Sequence, residues 1–179
     1  FPMSVRYGQR HAHREIRAAL DICQAFGLEQ RHIVAELPHW LFAGSALTGS
    51  GPIPEGRYDD ESMRSTVVPN RNMVFIALAT AYAISIGARK VAYAAHAGDH
   101  AIYPDCRPDF FAHMRRAVLR GSDGSVLLFA PFIDATKADI VRIGASFRAP
   151  MQLSYSCYKG GTKHCGVCGT CVERREAFN

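Results

Sequence analysis

The sequence predicts an α/β protein with a doubly wound, mostly parallel, Rossmann-like sheet and a C-terminal cysteine cluster. Short apolar runs alternate with longer segments of helical periodicity, and glycines follow several of these segments, which together predict the sheet. Four of the six cysteines lie between positions 157 and 171, which predicts the cluster. We expect residues 1–150 to form the α/β domain and residues 151–179 to be a cysteine-rich segment of the same domain.

The first third of the chain contains two predicted strands, one helix and a long loop. Met3–Tyr7 and His32–Leu37 have the short apolar pattern of strands. Between them, Ala12–Phe26 has the spacing of an amphipathic helix, and Gly27 suits its left-handed C-cap. Residues 44–66 have no clear period, and loops of this length are most often active-site covers or mobile segments.

The rest of the chain continues the alternation. Residues 73–86 form a strongly apolar predicted helix, followed by a strand at 90–95. A helix at 110–121 precedes the continuous apolar run 126–129, which is typical of a strand covered on both faces. A last helix is predicted at 136–144, because its start resembles a capping box.

The composition is that of an ordinary globular protein. Of 179 residues, 48% are hydrophobic and 21% are charged, which excludes disordered, collagen-like and mucin-like chains. No apolar run approaches the roughly 20 residues of a membrane span, and no signal peptide is recognisable, so we expect no membrane partner. The 21 basic residues exceed the 16 acidic ones by five, which suits anionic substrates and equally an ordinary basic surface.

Three polar runs are expected where doubly wound sheets bind ligands, beyond the carboxyl ends of the strands. The runs are Tyr7–His11, Pro69–Asn72 and His96–Arg107. Arg71, at the start of a helix, could clamp an anion together with the free N–H groups of the first turn, or form a surface salt bridge. Asn70 and Asn72 are common N-cap residues, so one of them is expected to cap this helix.

The third run combines histidines with carboxylates. His96, Asp99 and His100 could form a metal or acid–base cluster, or a satisfied loop network. Asp105 is expected to stabilise a turn, in which Cys106 is favoured as a structural cysteine rather than a nucleophile.

The clustered cysteines have the spacing C-x7-C-x2-C-x2-C, formed by Cys157, Cys165, Cys168 and Cys171. Four thiolates complete the tetrahedral coordination of Zn²⁺, so such a site is structural. The alternatives are an iron–sulfur cluster, which the C-x2-C-x2-C spacing resembles, and reduced thiols without a ligand. A full-sized core needs no disulfides, so the cluster also favours a reducing, cytoplasmic location.

Together these runs resemble one family. In order, they are Tyr7–His11, Val68–Asn72, His96–Arg107 and Ser156–Gly161, followed by Cys165, Cys168 and Cys171. The chain is similar in this pattern to the 7-cyano-7-deazaguanine synthase family of the queuosine pathway, from residue 1 to residue 178. That family belongs to the ATP-pyrophosphatase group, which has an adenine-nucleotide alpha-hydrolase-like fold.

The resemblance implies an ATP-dependent ligase that forms C–N bonds. It implies conversion of 7-carboxy-7-deazaguanine, ATP and ammonia to 7-cyano-7-deazaguanine through an activated acid and an activated amide. It also implies Mg²⁺ with ATP, one structural zinc ion per chain at the four cysteines, and a homodimer. Direct binding of nucleic acid is not expected, because the charge excess is mild and the family acts on a free base.

The resemblance also implies roles for single residues. Arg71 would stabilise anionic groups, while His96 and Asp99 would accept protons. The residues implied to bind substrate or nucleotide are Tyr7, Gln9, Arg10, His11, Asn70, Asn72, Gly98, His100, Tyr103, Asp105, Arg107 and Lys137.

The sequence departs from the family's pattern at one place. It has no Ser-Gly-Gly-x-Asp-Ser loop, whose backbone cradles the pyrophosphate of ATP in this group. Residues 1–7 match the family's second strand, so the first strand, that loop and the first helix are not in this sequence. We expect a fragment, or a set of ordered residues, rather than a protein that has lost its nucleotide loop, and we do not expect the 179 residues to be active without the missing segment. Two other functions remain open: a related ATP-dependent enzyme that activates another carboxylate in nucleic-acid or protein modification, and a zinc-containing binding module that has lost catalysis.

Overall fold

The computed structural model describes residues 1–58 and 61–179, which divide into two compact units. The first unit contains Phe1–Val68 and Ala138–Asn179, and the second contains Pro69–Lys137. Neither unit has a boundary at residue 150. The expected division into an α/β domain at 1–150 and a cysteine-rich segment at 151–179 stays a prediction.

The first unit is built on one parallel pair of strands. β1 (Met3–Arg6) pairs in parallel with β2 (Ile33–Glu36), so that Val5 lies opposite Ala35. α1 (Ala12–Ala25) connects the two strands, as a parallel connection requires. α1 ends at Ala25, and after the C-cap residue Phe26 the chain turns through Gly27, which has the predicted left-handed conformation with φ of 66°.

The second unit repeats this arrangement. α2 (Arg71–Ser85) precedes β3 (Lys90–Ala92), and α3 (Pro108–Gly121) connects β3 to the parallel strand β4 (Leu127–Phe129). Its core is formed by buried aliphatic side chains from both strands and both helices. These are Ile76, Ala83, Val91, Val118, Val126 and Leu128.

Two further helices complete the described part of the chain. α4 spans Lys137–Ser146, and α5 spans Gly169–Phe178. The sequence analysis predicted α4 but missed α5, because the cysteine spacing hides its start: Cys168 is its N-cap and Cys171 lies in its first turn. The loop predicted at 44–66 ends in a 3₁₀ turn, Glu61–Thr66, in which Met63 and Thr66 are 0% exposed.

The prediction of parallel strands is confirmed, but their arrangement differs from one continuous sheet. The described residues form two separate two-stranded sheets, β1–β2 and β3–β4. Hydrophobic period identifies a strand and its buried face but not its neighbour. Each strand here pairs with the strand that its own helical connection delivers.

One segment, Glu61–Ser85, passes as a membrane span by length and composition alone. This is weak evidence, because the segment is not one continuous α-helix. α2 begins only after Pro69 and the left-handed Asn70, and its 15 residues extend about 22 Å, less than the roughly 30 Å of a hydrocarbon core. Ile76 and Ala83 of α2 belong to the buried core of the second unit.

Truncating a core leucine in β4 tests this packing. Leu128 is 2% exposed, whereas its neighbour Leu127 on the opposite face is 43% exposed. We expect Leu128→Ala to lower the free energy of unfolding by about 3 kcal/mol, because it removes buried methyl groups and leaves a cavity. Urea unfolding would measure this loss, and Leu127→Ala, the matched control, should cost less than about 1 kcal/mol. Equal losses would contradict the assignment of the two faces.

Candidate functional site

The four clustered cysteines lie close enough together to hold one metal ion. The sulfur atoms of Cys157, Cys165, Cys168 and Cys171 all lie within 4.8 Å of one another. The Cys165 and Cys171 Sγ atoms are 3.9 Å apart, close to the separation of about 3.8 Å that follows from tetrahedral Zn–S bonds of about 2.3 Å. A disulfide would bring two sulfurs to about 2.05 Å. The arrangement therefore fits one metal ion bound by four thiolates.

Backbone N–H groups stabilise the negative charge on these sulfurs. The N–H of Cys165 donates to Cys157 Sγ at 3.4 Å, and the N–H of Cys168 donates to Cys165 Sγ at 3.3 Å. Burial alone would raise the pKa of Cys165, but N–H groups of Cys168 and Val167 outweigh it and lower this pKa to about 7. Gly166, with φ of 78°, turns the chain between Cys165 and Cys168.

The long loop packs directly on the cysteine cluster. Glu55 forms an antiparallel bridge with Cys168, and the N–H of Gly56 donates to the carbonyl of Val167 at 3.0 Å. Lys159 forms an ion pair with Glu55. A Cβ atom at Gly169 would lie 2.5 Å from the Met63 sulfur, so a larger residue there would force the buried Met63 side chain to shift. The cluster therefore joins the loop to the start of α5.

The first polar run is largely internal to the first unit. Tyr7 is 3% exposed, and its ring packs edge-on against Phe42. The Gln9 amide accepts a hydrogen bond from the N–H of Tyr7 at 2.9 Å and donates to the carbonyl of Val5 at 3.0 Å. These contacts shape the turn from β1 into α1.

The Arg10 side chain forms hydrogen bonds with the backbone of the long loop. Its guanidinium donates to the carbonyls of Gly49 at 2.6 Å and Gly51 at 2.5 Å. Gly160, with φ of 71°, comes so close to Arg10 and His11 that a Cβ atom would lie 3.2 Å from the Arg10 carbonyl oxygen. The structure thus brings two of the family-like runs, 7–11 and 156–161, into contact.

The second polar run meets part of the third at the start of α2. Asn70 occupies the N-cap position in the left-handed conformation, with φ of 52°, but its side chain makes no capping bond. Instead, the Asp105 carboxylate accepts a hydrogen bond from the N–H of Asn72 at 2.8 Å, and the Asn72 amide donates to Cys106 Sγ at 3.1 Å. The expectation that an asparagine caps this helix is therefore wrong, because a buried aspartate from a distant turn takes that role.

Removing the Asp105 carboxylate tests this cap. We expect Asp105→Ala to lower the free energy of unfolding by about 1–2 kcal/mol, because the first turn of α2 loses its acceptor. Asp105→Asn keeps an acceptor oxygen of similar position and should retain most of the stability. Chemical denaturation of both variants measures the difference, and an equal loss in the two would contradict the cap.

His96 and Asp99 form a pair in the third run. His96 Nε2 lies 3.4 Å from Asp99 Oδ2, and the two side chains are only 10% and 16% exposed. The N–H of Gly98 donates to His96 Nδ1 at 3.2 Å, so Nδ1 is an acceptor and Nε2 carries the proton toward Asp99. Both ring nitrogens are therefore engaged within the run, as the loop-network alternative predicts.

The remaining residues of this run have different exposures. Tyr103 is buried, and its N–H donates to the carbonyl of Asp99 at 2.9 Å. Arg107 is exposed, and its Nε donates to the carbonyl of His100 at 2.9 Å. Within the described residues, His100 Nε2 is buried without a hydrogen-bond partner.

Arg71 and Lys137 each begin a helix. Arg71 is the first residue of α2, and its guanidinium lies over the Phe75 ring, 5.9 Å from the centroid. Lys137 is the first residue of α4. Both positions place a cation at a helix N-terminus, where the helix dipole also favours negative charge. In α2 the N–H of Asn72 already donates to the Asp105 carboxylate.

The sequence analysis missed Tyr93 in this neighbourhood. Tyr93 follows β3, and its buried hydroxyl has no hydrogen-bond partner among the described residues. Burial, with Cys106 and Asp105 nearby, raises the pKa of Tyr93. Burial, followed by the charges of Asp99 and Asp105, also raises the pKa of Cys106, so this thiol stays protonated and is a poor nucleophile. The sequence signal for Tyr93 was only its place at the end of a strand.

Comparison with known proteins supports, along the whole chain, the family resemblance seen in the polar runs and the cysteines. The profile of the family described as "Queuosine biosynthesis protein QueC" matches residues 1–179. A 7-cyano-7-deazaguanine synthase of Caldicellulosiruptor saccharolyticus is 49% identical over 99% of this chain and 79% of its own length. Proteins of the same name from Porphyromonas gingivalis and a Marinomonas species are 49% and 43% identical, each over 99% of this chain and over 80% and 81% of their own lengths. The chain therefore belongs to the QueC family of queuosine biosynthesis proteins.

Proposed function

We propose that this protein converts 7-carboxy-7-deazaguanine, ammonia and ATP to 7-cyano-7-deazaguanine. The observation that carries the proposal is the family match over residues 1–179. Relatives that share 43–49% of their residues with it are named for the synthesis of this nitrile. The polar runs supply the cations and hydrogen-bonding groups that such a reaction needs.

The proposed chemistry activates the two carboxylate oxygens one after the other. A carboxylate is a poor electrophile, so ATP first converts its oxygen into a leaving group, and ammonia displaces that group to form the amide. A second activation of the amide oxygen and loss of water equivalents then give the nitrile. Arg71, Arg107 and Lys137 are the proposed stabilisers of carboxylate and phosphate charge.

The acid–base assignment follows the hydrogen bonds. His96 and Asp99 remain the proposed polar pair of the site, with Asp99 also a proposed contributor to the Mg²⁺ that accompanies ATP. His96 Nδ1 already accepts the Gly98 N–H, so in this arrangement the role of His96 is to orient Asp99.

For the cysteine cluster we propose one structural Zn²⁺ per chain. The four sulfurs lie within 4.8 Å of one another, which suits a single ion, whereas a cluster of several irons and sulfides would hold its cysteines farther apart. When bound, the ion would cross-link Cys157 and the Cys165–Cys168 turn to the first turn of α5, on which the long loop packs, and would leave no coordination position for a substrate.

Isothermal titration calorimetry on the gene product tests the function against its alternatives. We expect saturable binding of 7-carboxy-7-deazaguanine and of ATP with Mg²⁺. Binding of ATP without binding of this carboxylate would instead indicate an enzyme that activates another carboxylate. Binding of neither would indicate a zinc-containing module without catalysis, and both of these outcomes contradict the proposal.

The proposed setting is a homodimer in the cytoplasm that binds neither nucleic acid nor membranes directly. All six cysteines are free thiols in the described part of the chain, which suits a reducing compartment. The homodimer is proposed from the family resemblance, and light scattering should give twice the mass of one chain.

A further inference from the structure

Gln9, His11 and Glu15 form a hydrogen-bonded triad at the start of α1 in the first unit. Gln9 Nε2 lies 3.2 Å from Glu15 Oε2, and His11 Nε2 lies 3.3 Å from Glu15 Oε1. Gln9 and His11 are only 5% and 2% exposed. The Glu15 carboxylate therefore connects two buried side chains of the first polar run.

The hydrogen bonds determine which atoms carry protons. Gln9 Oε1 accepts from the N–H of Tyr7, so its amide nitrogen must donate to Glu15. An ionised carboxylate only accepts hydrogen bonds, so the His11 nitrogen that faces it, Nε2, must be protonated. In the neutral ring this leaves Nδ1 as the lone-pair nitrogen.

That nitrogen is buried and has no partner. His11 Nδ1 is one of the few buried side-chain polar atoms without a hydrogen bond among residues 1–58 and 61–179. A buried acceptor left unpaired costs about 1–3 kcal/mol, so we expect a donor from outside the chain, a ligand or an ordered water, to complete it. The ring lies 5.5 Å from the Tyr158 ring, centroid to centroid, and Gly160 approaches the backbone of His11.

We infer that His11 Nδ1 is the proton acceptor for ammonia and that Glu15 is the positioning residue that keeps it so. This inference rests on the proposed function. The nitrogen lone pair of ammonia forms the new C–N bond as the bond to the activated oxygen breaks, and the leaving group departs with that electron pair. One N–H proton passes to His11 Nδ1, and the Glu15 carboxylate stabilises the imidazolium that results.

His11 and His96 differ in whether a ring nitrogen is left to accept a proton. Both ring nitrogens of His96 are engaged with Gly98 and Asp99. Only one ring nitrogen of His11 is engaged, and the one that remains is the acceptor. The difference is the physical reason to transfer the role of base from His96 to His11.

Glu15→Gln tests the positioning role, because it can reverse the tautomer. The new amide must use its oxygen to accept from Gln9, and its NH₂ group then faces His11 and donates to Nε2. His11 would carry its proton on Nδ1 and could no longer accept one there. We expect kcat to fall about 100-fold while KM changes less than about twofold. Glu36→Gln, an exposed glutamate paired with Arg6, is the matched control and should leave kcat unchanged.

Nitrogen-15 NMR of the imidazole rings shows which ring nitrogen of His11 carries the proton. A Glu15 that only stabilised the fold would not change that position when it is substituted. Protonated and unprotonated ring nitrogens have well-separated shifts, so the tautomer is read directly. We expect the proton of His11 on Nε2 in the wild-type protein and on Nδ1 in Glu15→Gln. A wild-type proton on Nδ1, or a Glu15→Gln variant with kcat within twofold of wild type, would overturn the inference.

The kinetic assay and the NMR spectrum together separate this inference from the proposed function. If the wild-type protein forms no nitrile, the proposed function fails, and with it the role of His11 toward ammonia. The wild-type NMR spectrum still decides whether the proton of His11 lies on Nε2, facing Glu15, and a proton on Nδ1 would overturn the inference even if Glu15→Gln does not fold.

Discussion

Cys168→Ser is expected to remove the bound metal ion and to loosen the long loop of the first unit. Cys168 is 0% exposed, caps α5 and forms the bridge to Glu55. Zinc binding by four-ligand sites is worth on the order of 10 kcal/mol of apparent free energy, and a hydroxyl is a far weaker ligand than a thiolate. Loss of the ion should therefore loosen both the cysteine segment 157–171 and the part of the loop that pairs with it at Glu55.

Two measurements check this prediction. Elemental analysis should give one zinc ion per chain in the wild-type protein and none in Cys168→Ser. Limited proteolysis should cut the segment around Gly49–Gly56 much faster in the variant or after chelation. Cys23→Ala removes a buried cysteine outside the cluster and, as the control, should keep its zinc. A full complement of metal in Cys168→Ser, or a brown iron–sulfur protein, would contradict the assignment.

Arg71→Ala is expected to reduce turnover by at least about 100-fold while the zinc content stays unchanged. The guanidinium at the first residue of α2 can offer two parallel N–H donors to an anion, and preorganised donors of this kind stabilise developing negative charge by several kcal/mol. Steady-state kinetics with 7-carboxy-7-deazaguanine, ATP and ammonia would measure the loss.

Arg71→Lys separates charge from geometry in the same assay. Lysine keeps the charge but cannot form two parallel hydrogen bonds, so we expect activity between that of wild type and Arg71→Ala. Unchanged activity in Arg71→Ala would show that Arg71 only packs on the Phe75 ring and belongs to an ordinary surface contact.

Local patterns predicted most helices and all four strands. The helical period of Ala12–Ala25 and the apolar run at Leu127–Phe129 are properties of neighbouring residues, so they can be recognised without a structure. α5 was missed because its first turn is occupied by metal ligands and a glycine rather than by an apolar stripe.

The site was predictable where its residues are close in sequence and not where they are distant. The cysteine spacing predicted the cluster, since its ligands lie within 15 positions of one another, from Cys157 to Cys171. The cap that Asp105 provides to α2 spans 33 positions, and nothing in the sequence around Asn72 indicates it. Likewise, Glu15 has an ordinary helical position, and its importance emerges only from the orientation of the Gln9 amide and the His11 ring.

Formation of the nitrile is the most direct test of the account. The gene product would be incubated with 7-carboxy-7-deazaguanine, Mg²⁺, ATP and ¹⁵N-ammonium, and the product would be identified by mass spectrometry. We expect 7-cyano-7-deazaguanine with one ¹⁵N atom, formed only when ATP is present. Consumption of ATP with no labelled nitrile, or no reaction of a zinc-loaded protein, would contradict the proposed function.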